Sequence, residues 1–193
     1  VNAERRISGP SRIETAIAIA GFLDDPETLL ITTAFDFPDA LAAGAAGGAV
    51  GGAVLLTTSD APHPAVDAYL ARRRAAAVFA VGGPAVRAYP AVAGVSGPTR
   101  EETAVAVAER FFDSPSVVGI ARRDDFPDAL SGGTHIARLG GPILLAPTAA
   151  LHPASSAYLC ATPVETAFAY GGTSALSSAT FDALAARVSG AGC

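Results

Sequence analysis

The hexapeptide Asp-Phe-Pro-Asp-Ala-Leu is written twice in this chain, at Asp36–Leu41 and at Asp125–Leu130. The repetition extends far beyond it. "SGPSRIETAIAIA" from Ser8 aligns with "SGPTREETAVAVA" from Ser96, and "GGAVLLT" from Gly51 aligns with "GGPILLA" from Gly140. "HPAVDAYL" from His63 matches "HPASSAYL" from His152, and "AVGGPAV" from Ala80 matches "AYGGTSAL" from Ala169. Asp39 to Asp128 and Gly82 to Gly171 are both 89 residues apart. A chain that repeats at a fixed spacing folds as copies of one supersecondary unit, so what one half forms the other must form too.

Within each copy the hydrophobic pattern alternates between helical and strand periods. Helices are predicted over Glu14–Leu23 and Glu102–Phe112, followed by strands over Thr28–Thr33 and Ser116–Ala121. A Gly/Ala-rich helix opened by Pro-Asp comes next, then short apolar strands, Ala53–Thr57 and Pro142–Ala146. Helices that start after His-Pro lead to third strands, Val78–Val81 and Ala167–Tyr170, each running into Gly-Gly. Short apolar strands alternating with helices predict parallel βαβ units. The expected fold is therefore α/β: two tandem three-layer α/β/α units, each with a small parallel sheet, Rossmann-like in general plan. The boundary falls near Val95, giving repeats at 1–95 and 96–193. Units of that size are marginal alone, so they are expected to pack on each other or with further copies, which allows self-association.

Half of the 193 residues are apolar, chiefly Ala, Val and Leu, with no Trp, so a core is available but an aromatic platform for single-stranded nucleic acid is not. Net charge is −5 and every basic residue is Arg; the single run, Arg72-Arg73-Arg74, reads as a solvated helix end, and nucleic acid is not an expected partner. The most membrane-like stretch, Ala40–Leu56, is broken by Gly, and its counterpart carries His135 and Arg138, so no membrane span is expected. The chain begins at Val1 with no Met and no signal-peptide pattern, which reads as a mature or trimmed form. Cys160 and Cys193 lack the spacing of zinc or thioredoxin sites. A single disulfide between them is expected, worth about 3–4 kcal/mol by chain entropy and implying an oxidising compartment; the alternative is two unrelated free thiols.

In parallel α/β sheets ligands bind beyond the carboxyl ends of the strands, and here that edge collects the repeated motifs. In "DFPDAL", Asp36 is expected to cap the following helix, Pro38 to occupy its first turn and Asp39 to favour its positive end, with Phe37 and Leu41 fixing the loop by packing. Arg12 and Arg100 open the first helix of each unit beside free backbone N–H groups and hydroxyls, an arrangement that suits an anion. The competing reading pairs Arg12 with Asp39 and Arg100 with Asp128 as structural locks. Arg122 and Arg123 are read as replacing Ala34 and Phe35, so the two edges differ. "GAAGGAVGG" lies within and after a helix rather than between a strand and a helix, and reads as close packing, not a dinucleotide loop. His63 and His152 precede Pro at helix starts, and no metal-ligand spacing or nucleophile elbow occurs. Neither a cofactor nor catalysis is expected. The candidate ligand-binding residues are Arg12, Arg100, Asp39, Asp128 and Arg122.

Taken together, "RISGPSRIETAIAIA", "DFPDALAAGAAG", "GGAVLLTT" and "AVGGPAV", with their second copies, closely resemble the cell wall binding repeat type 2 family of Gram-positive surface proteins. The resemblance covers nearly the whole chain in two copies. It implies a non-catalytic module that holds secreted proteins on the cell wall by binding an anionic wall polysaccharide or another peptidoglycan-associated polymer. Such modules are commonly three repeats packed in a triangle; this chain has two. Repeated weak sites would add up to useful retention. The other readings are a protein-interaction or assembly module of the cell envelope and an enzyme acting on wall material.

Overall fold

In the computed structural model the described residues are 6–23, 25–74 and 76–193. The first unit runs α1 (Arg12–Ala20), β1 (Thr28–Thr33), α2 (Pro38–Val50), β2 (Ala53–Thr57), α3 (Pro64–Arg72), β3 (Ala77–Val81), α4 (Gly83–Ala88) and β4 (Ala93–Val95). The second runs α5 (Arg100–Phe111), β5 (Val117–Arg122), α6 (Pro127–Arg138), β6 (Ile143–Ala146), α7 (Pro153–Ala161), β7 (Thr166–Tyr170) and α8 (Ser178–Val188). All strand pairs are parallel, in orders β2-β1-β3-β4 and β6-β5-β7. The architecture is the expected pair of α/β/α units. Two elements differ between them: β4 extends the first sheet, and α8 stands in the second unit where the first has the short α4.

Alternation along the strands assigns the layers. Leu29 and Ile31 of β1 face a core with Ile13 of α1, Val66 and Tyr69 of α3 and Ala85 of α4. Leu30, Phe79 and Val81 face the other way, onto Ala42, Ala43 and Ala46 of α2 and Ala104 and Val107 of α5. In the second sheet Val118, Ile120 and Leu144 meet Val105 and Ala108 of α5, Leu159 of α7 and Leu184 of α8. Ala121 and Ile143 meet α6 together with Leu41 and Ala45 of α2. Helices α2 and α5 thus pack against both units. The small residues of α2 make this possible: a Cβ at Gly48 would come within 3.1 Å of Ala137 Cβ on α6.

The first helices start two residues before the predicted positions, because Ser11 with Glu14 and Thr99 with Glu102 form capping boxes. His63 and His152 cap α3 and α7, their Nδ1 atoms accepting from Ala65 N at 3.3 Å and Ala154 N at 3.2 Å. Asp36 does not cap α2. The cap position belongs to Phe37, and the Asp36 carboxylate accepts from the Phe37 N–H at 3.0 Å instead. Ladder register corrects the alignment at the strand ends by one residue. Thr33 pairs with Thr57 as Arg122 pairs with Ala146, so Arg122 stands at Thr33, Arg123 at Ala34 and Asp124 at Phe35. Cys160 at the end of α7 is bonded to Cys193 beyond α8, with Cα atoms 5.6 Å apart. Among the described residues, no helix is long and apolar enough to cross a membrane.

Candidate functional site

The site is assembled at the carboxyl ends of the strands, where the chain leaves β1 and β5 for α2 and α6. The first residue of α1 and of α5 reaches this exit by the same bond. Arg12 Nη1 donates to the Ala34 carbonyl at 2.9 Å, and Arg100 Nη1 donates to the Arg123 carbonyl at 3.1 Å. One donor of each guanidinium therefore ties its helix to the strand exit. The helix N–H groups beside them are partly spent, with Ile13 N donating to Ser11 Oγ at 3.1 Å and Glu102 N to Thr99 Oγ1 at 3.3 Å.

The second repeated feature joins two motifs that lie far apart in sequence. Gly82 has φ +87° and Gly171 φ +107°, conformations that an L side chain rarely adopts. A Cβ on Gly82 would overlap the Asp39 carboxylate, and one on Gly171 would overlap that of Asp128. The Asp of "DFPDAL" and the Gly-Gly after the third strand are thus in contact in each unit. Burial, with the Asp36 carboxylate adding and the Arg100 guanidinium opposing, pushes the Asp39 carboxyl up to about 6.

The two edges converge in a groove of about 420 Å³ between the units, bordered by Asp36, Asp39, Arg100, Glu101, Arg123 and Asp124. Arg100 lies 3.8 Å from Asp36 of the first unit and 3.8 Å from Asp124 of its own. Below it Arg123 Nη1 meets Glu101 Oε1 at 2.6 Å, while Arg123 Nε lies 3.3 Å from Asp124. The Glu101 side chain is 1% exposed, and its Oε2 has no hydrogen-bond partner. At the seam above, the Phe37 and Phe126 rings meet edge to face with centroids 5.7 Å apart, so the two copies of the hexapeptide touch each other.

Of the residues singled out from sequence, Arg100 and Asp39 therefore share this groove, across the unit boundary. Arg12 lies at the far edge of the first unit, exposed, with its guanidinium 5.8 Å from the centroid of the exposed Phe35 ring. Asp128 is half-buried against Gly171, and Arg122 ends β5 with its Nε buried and unpartnered. Neither Arg12–Asp39 nor Arg100–Asp128 is among the ion pairs within 4.0 Å formed by the described residues; Arg100 pairs with Asp36 and Asp124 instead. Glu101 was missed, although a signal existed: it stands at Ile13 of the first unit, and its partner Arg123 stands at Ala34, so an apolar pair becomes an ion pair. Among the described residues no group of three His, Cys, Asp or Glu side chains is placed to hold a metal ion.

A family model for cell wall binding domain 2 (CWB2) matches residues 6–89 and again 95–181. The structure is similar to that of Cwp8 from Clostridium difficile, with a TM-score of 0.81 at 18% identity over 95% of this chain and 33% of that one. It is similar also to Cwp6 from Clostridium difficile, with a TM-score of 0.77 at 23% identity over 93% of this chain and 31% of that one. The chain thus spans about a third of either of those chains. A search of curated protein sequences finds no match. With two matched segments that together cover most of its length, the chain belongs to the cell wall binding domain 2 family and is a cell wall binding module.

Proposed function

We propose that the chain, as two units over 1–95 and 96–193, retains a secreted protein on the bacterial envelope by binding a wall polysaccharide along the strand-end edge. An anionic group of the polymer is taken by Arg12, with Arg122 a further cation at the end of β5. The observation that carries this reading is the contrast between two equivalent arginines. Arg100 is already matched by Asp36 and Asp124, whereas among the described residues no carboxylate lies within 4.0 Å of Arg12. Arg12 keeps donors free beside an exposed aromatic face, Phe35 being 68% exposed, and that combination suits an anionic sugar ring. Along the groove, Arg100 and the carboxylates of Asp36, Asp39 and Asp124 face the polymer's hydroxyl groups, with Asp128 as the equivalent acceptor on the second unit.

The test is cosedimentation with Gram-positive cell walls before and after acid stripping of their anionic polymers, at low and moderate salt. Binding is expected to be salt-sensitive and lost on stripping, and Arg12→Ala is expected to weaken it about tenfold, the lower end for one charge-assisted contact. If Arg12→Ala and Arg100→Ala together leave binding unchanged with the fold intact, the proposal fails.

A second reading, an assembly module, is favoured by the bare face of α1. Val107 of α5 is buried in the seam at 1% exposure, but its equivalent Ile19 is 50% exposed, alongside Phe22 at 54% and Leu23 at 42%. Such a face fits another unit of the same kind. Concentration-dependent association in the ultracentrifuge, lost in Ile19→Asp, is the expected result; a monomer at every concentration counts against this reading.

A further inference from the structure

The amino-terminal edge of the sheets, at the other end of the strands, carries a second pair of equivalent places. β1 is entered through Asp25 and Pro26, β5 through Ser114 and Pro115. Asp25 and Ser114 both have φ +47°, the non-glycine positive values among the described residues. Beside each turn lies a buried tyrosine, Tyr69 on α3 and Tyr158 on α7, each 6% exposed.

In the first unit this place holds a guanidinium. Arg73, just after α3, pairs with Asp25, donates to the Pro26 carbonyl at 3.3 Å and lies 5.9 Å from the centroid of the Tyr69 ring. In the second unit the equivalent residue is Thr162. A cavity of about 540 Å³ remains there, bordered by Tyr158, Ser114, Pro115, Phe112 and Thr162, with Glu109 as its charged residue. The first unit's cavity, also about 540 Å³, is lined by three arginines with the carboxylates of Asp25 and Glu27; the second's lining has no cation, and its one carboxylate, Glu109, stands at Gly21 of the first unit.

We propose that this cavity binds a guanidinium group, carried on an arginine side chain of a partner protein, in the place that Arg73 fills in the first unit. Two of the three recognition elements are those the chain uses on itself, and the third is supplied by Glu109 of α5 in place of Asp25. They are an aromatic ring, the carbonyl of the proline before the strand, and a carboxylate of opposite charge. The small apolar residues of α7 and the Phe112 ring suit the methylene stem that carries the head group. Thr162 supplies a hydroxyl but no charge, and Ser114 stands where Asp25 pairs with Arg73, so Glu109 is the carboxylate that a guanidinium entering here would meet. An ammonium group would match the charge without the planar fork. This site lies at the opposite end of the strands from Arg12 and the groove, and stands or falls independently of wall binding.

The experiment is an NMR titration of the full chain with the peptide acetyl-Gly-Arg-Gly-amide and with the same peptide carrying citrulline, which keeps the shape and loses the charge. Saturable shifts of the Tyr158 ring and the Ser114 amide are expected with the arginine peptide and not with the citrulline peptide. Thr162→Arg is expected to abolish them by supplying an internal guanidinium, and to raise the Tm. Glu109→Gln is expected to weaken binding about fivefold, the scale of one partly exposed ion pair. Absence of saturable shifts, equal response to both peptides, or undiminished binding by Thr162→Arg overturns the proposal.

Discussion

Asp39 is kept in both copies of the repeat at a cost that the first copy makes visible. Its carboxyl is half-buried against Gly82, beside Asp36, and is pushed from an ordinary 3.8 up to about 6. A raised acid binds more protons folded than unfolded between those two values, so its ionisation lowers stability as pH climbs from about 4 to about 6 and leaves it lower above. Asp39→Asn keeps the shape and removes the charge. It is expected to match the parent near pH 4 and to exceed it by about 3 kcal/mol near pH 7.5, measured by urea unfolding at both pH values. An equal difference at both would mean that the ionised carboxylate meets no penalty in the fold. That Asp39 opposes the fold at neutral pH, while its contact with a glycine recurs at Asp128, is what the proposed function expects of a residue kept for what it presents at the strand ends. From sequence alone both aspartates and both glycines were visible as repeated letters; their contact was not, because it joins segments that only the parallel sheet brings together.

The helices show what a repeat can hide. The nine residues of α1 correspond to the first nine of α5, yet α5 buries two faces and α1 one. Ala104 and Val107 enter the seam with the first unit while Val105 and Ala108 enter the second sheet. The equivalent positions on α1 include Ile19 at 50% exposure. Truncation provides an internal control. Val107→Ala is expected to cost about 2 kcal/mol, from lost burial plus an unfilled space, and Ile19→Ala less than about 0.5 kcal/mol, both by urea unfolding of the monomer. Comparable costs would show that the seam is loosely packed. Periodicity located both helices and even their apolar stripes, since pattern reports what can be buried. It could not report what covers them, and it missed α4, β4 and α8, the elements that follow the third strand of each unit. The capping boxes were legible as "SRIE" and "TREE", but the predicted helices began at the glutamates that close those boxes rather than at the arginines that open α1 and α5.

At the scale of the molecule, the two units are joined by shared layers rather than by a linker. Helix α2 packs on its own sheet and also reaches Ala121 and Ile143 of the second, through Leu41 and Ala45. Helix α5 belongs to the second unit but covers Leu30, Phe79 and Val81 of the first, with Arg110 over the Phe79 ring at 4.7 Å. Separating the units would strip α5 from the first sheet and α2 from the second, leaving one face of each sheet covered by a single helix, a loss that a unit of this size is not expected to absorb. The repeat is therefore a unit of sequence and topology but not of stability. The chain is expected to unfold in one transition, despite having two sheets. Far-UV circular dichroism reports all the helices, while Tyr69 and Tyr89 in the first unit and Tyr158 and Tyr170 in the second make tyrosine fluorescence a probe of both. Coincident urea curves from the two probes, and a fragment ending at Val95 that fails to fold, are the expected results. Two separated transitions would mean that each unit completes its own core, and that the groove at Arg100 lies between bodies free to move apart.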